Sequence, residues 1–151
     1  MLQDQIELNR NFTISFIISV VFTLALLIYA GAMATFDRMG MEPELGKSQH
    51  FPAVAGLALT SLALLAVRER LSIMGARAMM TKDRGLARAL AARHVIRASV
   101  NEAVGVLGVG NFLLTGNLGV SLAFLGVGLF ALIRARPSKE EWRAVVTQRQ
   151  G

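Results

Sequence analysis

Charged side chains are absent from about 26 consecutive positions, Asn11 to Phe36, and three further apolar blocks follow at about 51–68, 96–115 and 117–134. A helix needs about 20 apolar residues to cross the hydrocarbon of a bilayer, so the first block spans with residues to spare and the other three lie at the short end of the range. Pro52 stands in the first turn of the second block, where its missing N–H costs no helical bond. The third and fourth blocks are separated by Thr115-Gly116-Asn117, residues suited to a tight turn with positive φ, which predicts a helical hairpin. The pattern therefore predicts an all-α fold, a four-transmembrane-helix bundle made of two helical hairpins, spans at about 12–36, 51–68, 96–115 and 117–134. Ala32-Met33-Ala34 fits a signal-cleavage pattern, but the apolar stretch before it is far longer than a signal core and its flank is not basic.

Lys and Arg placement gives the expected direction. Arg68, Arg70, Arg77, Lys82, Arg84, Arg88, Arg93 and Arg97 lie in or beside the 69–95 loop, against Arg38 and Lys47 among Asp37, Glu42 and Glu44 in the loop before it. The positive-inside rule then makes the 69–95 loop cytoplasmic, and Arg134, Arg136, Lys139, Arg143 and Arg149 put the tail 135–151 and the N-terminus on the same side. Within that loop Gly75 and Thr81-Lys82-Asp83 are the expected turning points. From about Asp83 to Arg97 an amphipathic stretch prolongs the third helix out of the membrane. After Pro137, Ser138-Lys139-Glu140-Glu141 has capping-box spacing and opens a short last helix that sets Trp142 at the headgroup level.

Composition sharpens this picture. Of 151 residues 54% are hydrophobic and only 17% charged, below the quarter or so usual in soluble domains. The net charge of +6 is accounted for by the flanks of the apolar blocks, so no nucleic-acid partner is expected; the expected partners are membrane lipids and other membrane helices. Cysteine is absent, which excludes disulfides, thiolate metal sites and a Cys nucleophile. His50 and His94 fall on opposite sides of the membrane, and no hydrolase or metalloprotease motif is present, so no metal, no cofactor and no enzymatic activity is expected. Helical spans place the chain in a bacterial inner membrane rather than an outer-membrane barrel.

Glu102 is the one acidic residue within an apolar block, where an ionised carboxylate is costly. Ala98, Ser99, Gly105 and Val106 surround it one turn away, a notch of small side chains. With Ser99 and Asn101 it is a candidate ion-binding set; equally, it lies about 7–8 Å along the axis from Arg97, within reach of headgroup water. His94, Arg97 and Asn101 share a face, and with Arg84, Arg88 and Trp142 form the candidate contacts to lipid headgroups or a partner. Gly105, Gly108 and Gly110, with Gly119, Gly126 and Gly128, are candidate helix-packing positions.

Ile96-Arg97-Ala98-Ser99-Val100-Asn101-Glu102-Ala103, the stretch Gly108 to Asn117, and Arg136-Pro137 followed by Glu141-Trp142 together resemble bacterial four-helix inner-membrane proteins that are distantly similar to the proteolipid (c) subunits of rotary ATPases. The resemblance covers about a third of the chain and implies that Glu102 takes the place of the ion-binding carboxylate; the Arg-Gln-Pro-like loop motif of proteolipids is missing. Three functions follow as expectations. The leading one is a non-enzymatic membrane protein acting through helix association, as a homo-oligomer or an accessory subunit of a membrane complex. The others are an ion-translocating proteolipid-like subunit using Glu102, and a scaffold whose basic loop recruits a partner or anionic lipid.

Overall fold

The computed structural model describes residues 2–79, 86–140 and 142, all in helices and their connections, with no strand among them. The four helices are α1 (Leu2–Arg38), α2 (Lys47–Met79), α3 (Leu86–Thr115) and α4 (Leu118–Arg134). Of these, the Asn9–Arg38 part of α1 and the whole of α2 are long and apolar enough to cross a membrane. The remaining two expected spans differ for separate reasons. α4 is apolar but only 17 residues long. α3 has the length, at 30 residues, but carries Arg93, Arg97, Asn101 and Glu102 and lies centrally, where neighbouring helices can satisfy polar groups.

Local chemistry ends the helices sharply. Gly40, at φ +70°, closes α1 with the paired bonds of a Schellman motif, its own N–H to Asp37 O and Met41 N–H to Phe36 O. Gly116, at φ +64°, ends α3 with a single bond to Phe112 O of 2.7 Å. Asn117 keeps a negative φ and acts instead as N-cap of α4, its side chain accepting from the Val120 N–H. The α1–α2 connection folds over this turn: Glu44 and Leu45 donate their N–H groups to the orphan carbonyls of Leu113 and Leu114.

α3 touches all three other helices, α1 also packs on α4, and α2 packs on α3 alone. The expected α3–α4 hairpin is thus present, whereas α1 and α2, consecutive in sequence, share no contact among the described residues. The apolar core accordingly draws Leu26 and Met33 from α1, Ala98 and Phe112 from α3, and Leu125 and Leu132 from α4, with nothing from α2. Small residues set the closeness of these contacts. A Cβ on Gly128 would stand 2.8 Å from Asn101 O and 2.8 Å from Gly105 N, and one on Gly108 would stand 2.6 Å from Ser121 O.

The described parts of the 69–95 stretch are helical. α2 runs on to Met79 and α3 starts at Leu86, because away from the apolar band charged residues are no obstacle to a helix. Gly75, an expected turn, lies inside α2, its Cβ direction filled by Ile96 Cδ1. The expected turn at Thr81-Lys82-Asp83 and the candidate Arg84 lie outside the described residues, as does most of the tail; the chain is helical again at 139–140 and 142.

Candidate functional site

Polar residues are buried beside the apolar core, while large apolar side chains cover much of the surface. The buried polar residues are Ser15, Ser19, Ser61, Ser72, His94, Asn101, Asn111, Thr115 and Ser121, while Ile28, Leu59, Phe51 and Phe130 are 67%, 68%, 81% and 65% exposed. The serines are cheap to bury because each hydroxyl donates to a carbonyl of its own helix, as Ser15 does to Asn11 O and Ser61 to Leu57 O. Their small side chains let the helices close up. Asn111 donates to Ser121 Oγ at 2.8 Å, tying α3 to α4.

One end of the helices gathers the charge. Asn101, fully buried, accepts from Arg68 Nη1 of α2 at 3.0 Å and donates to Ala131 O of α4 at 3.0 Å, so a single amide joins three helices. One turn nearer the basic end, Glu69 of α2 takes a bond from Arg97 of α3 at 2.5 Å, with Arg93 at 3.5 Å and Arg68 at 3.7 Å. The Arg97 bond, then the charges of Arg97, Arg68 and Arg93, hold the Glu69 carboxyl below the ordinary glutamate range against the opposing effect of burial. Further out, Arg88 of α3 pairs with Glu7 of α1 at 2.7 Å.

The backbones of α2 and α4 do not approach closely, and a cleft of about 460 Å³ opens between them, with Arg97 of α3 also lining it. Its charged end is formed by Arg68, Glu69, Arg97 and Arg134, and its wall towards the apolar band by Leu65, Val127, Phe130 and Ala131. The Nε–H groups of Arg68, Arg93 and Arg97 are buried and have no acceptor among the described residues.

The candidate site residues are distributed as follows. Arg97 and Asn101 belong to this cluster. The Asn101 amide turns inward to Arg68 and Ala131, whereas Ser99, three residues before Glu102 on the same helix, is exposed and Glu102 is half-buried. Glu102 follows directly after Asn101, the partner of Arg68, and therefore stands level with the first arginine of α2, at the edge of the apolar band. Among the described residues no three His, Asp or Glu side chains are grouped to hold a metal ion. His94 and Trp142, expected at the headgroups, are instead 3% and 2% exposed. Trp142 stacks on His94 with ring centroids 6.1 Å apart and meets Phe12 of α1 edge-on at 5.9 Å. The tail returns there against α1 and α3, where Phe12 and His94 enclose Trp142. Gly105, Gly108 and Gly128 pack against neighbouring helices, with Leu26, Ser121 and Asn101 respectively the nearest contacts. Gly110 and Gly126 face open space and Gly119 meets only the Asn117 side chain at 3.6 Å.

Sequence reading missed Glu69, Arg68 and Arg134 as site members. The signal was present, since Arg68 and Arg134 each close an apolar block, but only the packing of both helices on α3 brings them together. Compared with family profiles, curated proteins and solved structures, the chain finds no match.

Proposed function

We propose that the chain is a non-enzymatic, four-span protein of a bacterial inner membrane that works through helix association, with itself or as a small subunit of a membrane complex. The observation that carries this reading is the apolar exterior, with Ile28, Leu59, Phe51 and Phe130 exposed, around a core in which buried serines and asparagines stand beside Leu26, Met33, Phe112 and Leu132. In water such a surface costs about 25 cal/mol per Å² exposed, and lipid or another apolar helix removes that cost. Lys and Arg concentrate at the end where α2, α3 and α4 carry Arg68, Arg97 and Arg134, which supports a cytoplasmic position for that end under the positive-inside rule.

The glycines suggest which face associates. Those at Gly105, Gly108 and Gly128 are consumed by packing within the chain, whereas Gly119, Ala123 and Gly126 lie exposed on α4 at spacings of four and three. A stripe of that kind admits a second helix at close range. In mild detergent the protein should migrate as an oligomer that Gly126→Leu disperses, with helix content and thermal stability retained. Gly108→Leu should lower stability instead, because Ser121 O and Leu125 N leave no space. A monomer before mutation would sink the association reading, and a chain that stays dissolved in buffer without detergent would sink the membrane reading.

A further inference from the structure

We propose that the cleft between α2 and α4 is a binding site for an anionic phospholipid, with the phosphate held by Arg68, Arg97 and Arg134 and the first part of an acyl chain lying along Leu65, Val127, Phe130 and Ala131. This rests on the membrane reading above, because only then does the cleft open at headgroup height.

The charge balance asks for an anion. Arg68, Arg97 and Arg134 line the cleft with three positive charges, and Glu69 supplies its one carboxylate. That carboxylate is already surrounded by Arg97, Arg93 and Arg68, so the end of the cleft stays cationic. The Arg134 side chain is exposed at the cleft and makes neither a hydrogen bond nor an ion pair among the described residues, so its guanidinium is open to an anion at the mouth. Guanidinium groups are the side chains best matched to phosphate oxygens, through paired parallel N–H bonds.

The shape asks for an amphiphile. Along α4 the lining runs Arg134, Ala131, Phe130, Val127, from charge into the apolar band, and along α2 it runs Arg68 to Leu65 in the same direction. Phe130 is 65% exposed, an apolar surface beside a cationic mouth. A free phosphate would fill the mouth alone and leave that wall bare. A phospholipid covers both, and the volume of about 460 Å³ lies within the range of ordinary ligand sites. Because the backbone of α2 comes close only to that of α3, a lipid here would also bridge α2 to α4.

The test uses the full chain, purified and delipidated in a neutral mild detergent, with lipid retention read by native mass spectrometry and thermal stability read in parallel. Dioleoyl-phosphatidylglycerol should be retained and raise the melting temperature, and dioleoyl-phosphatidylcholine should do so far less. Arg134→Gln and Arg68→Gln should each weaken phosphatidylglycerol retention about fivefold, the effect of one cation near an anionic headgroup. Arg136→Gln removes the same charge from an exposed position outside the cleft and should leave retention unchanged. Equal loss in Arg136→Gln, or equal retention of the two lipids, overturns the site in favour of general charge attraction. Displacement of the lipid by millimolar inorganic phosphate overturns the lipid and leaves a phosphate site. Failure of the membrane reading is distinguishable, because the chain would then stay soluble without detergent whatever its lipid preference.

Discussion

Asn101 and Asn111 sit on one helix ten residues apart and are both fully buried, yet they should contribute differently. Asn111 makes a neutral bond to Ser121, of the kind that averages about 0.6 kcal/mol between membrane helices. Asn101 accepts from a guanidinium and also holds the Ala131 carbonyl, and bonds to charged groups contribute about 1.5–3 kcal/mol. Asn101→Leu should therefore lower unfolding stability in detergent clearly more than Asn111→Leu, as measured by thermal or denaturant unfolding. Similar losses would mean that Arg68 finds another acceptor. Glu69 carries the pH dependence at this scale. Its folded carboxyl is held below the ordinary range, so its ion pairs stabilise the fold fully above that range. The contribution fades as pH falls from the ordinary glutamate value to the lowered one. Melting temperatures at about pH 7 and about pH 3 should differ less in Glu69→Gln than in the parent chain. That Asn101 faces inward while Glu102 sits half-exposed beside it was not legible in the sequence, because a helix step of 100° separates them and only the positions of α2 and α4 decide which of the two is enclosed.

The α3–α4 turn was the most legible element. The Thr115-Gly116-Asn117 signal fixes the α3–α4 turn to the residue, since a positive φ at Gly116 and a capping side chain at Asn117 are properties of those residue types. α1 and α2 run on beyond the expected spans, because hydropathy locates the apolar part of a helix and is blind to its continuation into more polar sequence. The glycines give the sharpest test at this scale. At Gly128 an added Cβ meets backbone atoms of α3, which cannot give way, while at Gly75 it meets the end of the flexible Ile96 side chain. Gly128→Ala should destabilise the fold. Gly75→Ala should be neutral or stabilising by up to about 1 kcal/mol, the helix propensity difference, once Ile96 changes rotamer. Melting temperatures of the two variants check this, and a loss for Gly75→Ala as large as that for Gly128→Ala would mean that Ile96 has no alternative.

Across the whole molecule the asymmetry of the bundle matters most. α1, α3 and α4 share one apolar core, α2 leans on α3 alone, and the tail returns to close the basic end through Trp142. Trp142→Ala should cost about 3–5 kcal/mol, as for a buried aromatic residue, where an exposed tail residue would cost next to nothing. Trp142→Phe should restore most of it, because the indole N–H finds no acceptor among the described residues. Amide hydrogen exchange in the first turns of α1 should rise in the Ala variant, since Phe12 loses its edge-on partner.

Apolar blocks, their end signals and the bias of Lys and Arg are one-dimensional properties, so the sequence by itself determined that the chain is helical, roughly where each helix lies and which end of the set is basic. Which glycines are consumed and which are spare, why Trp142 is buried, and how Arg68, Arg97 and Arg134 come to surround one cleft depend on which helix faces lie against α3. Those faces are set by packing among residues far apart in sequence, 81 positions for Glu7 and Arg88 and 130 for Phe12 and Trp142, and no local pattern encodes them.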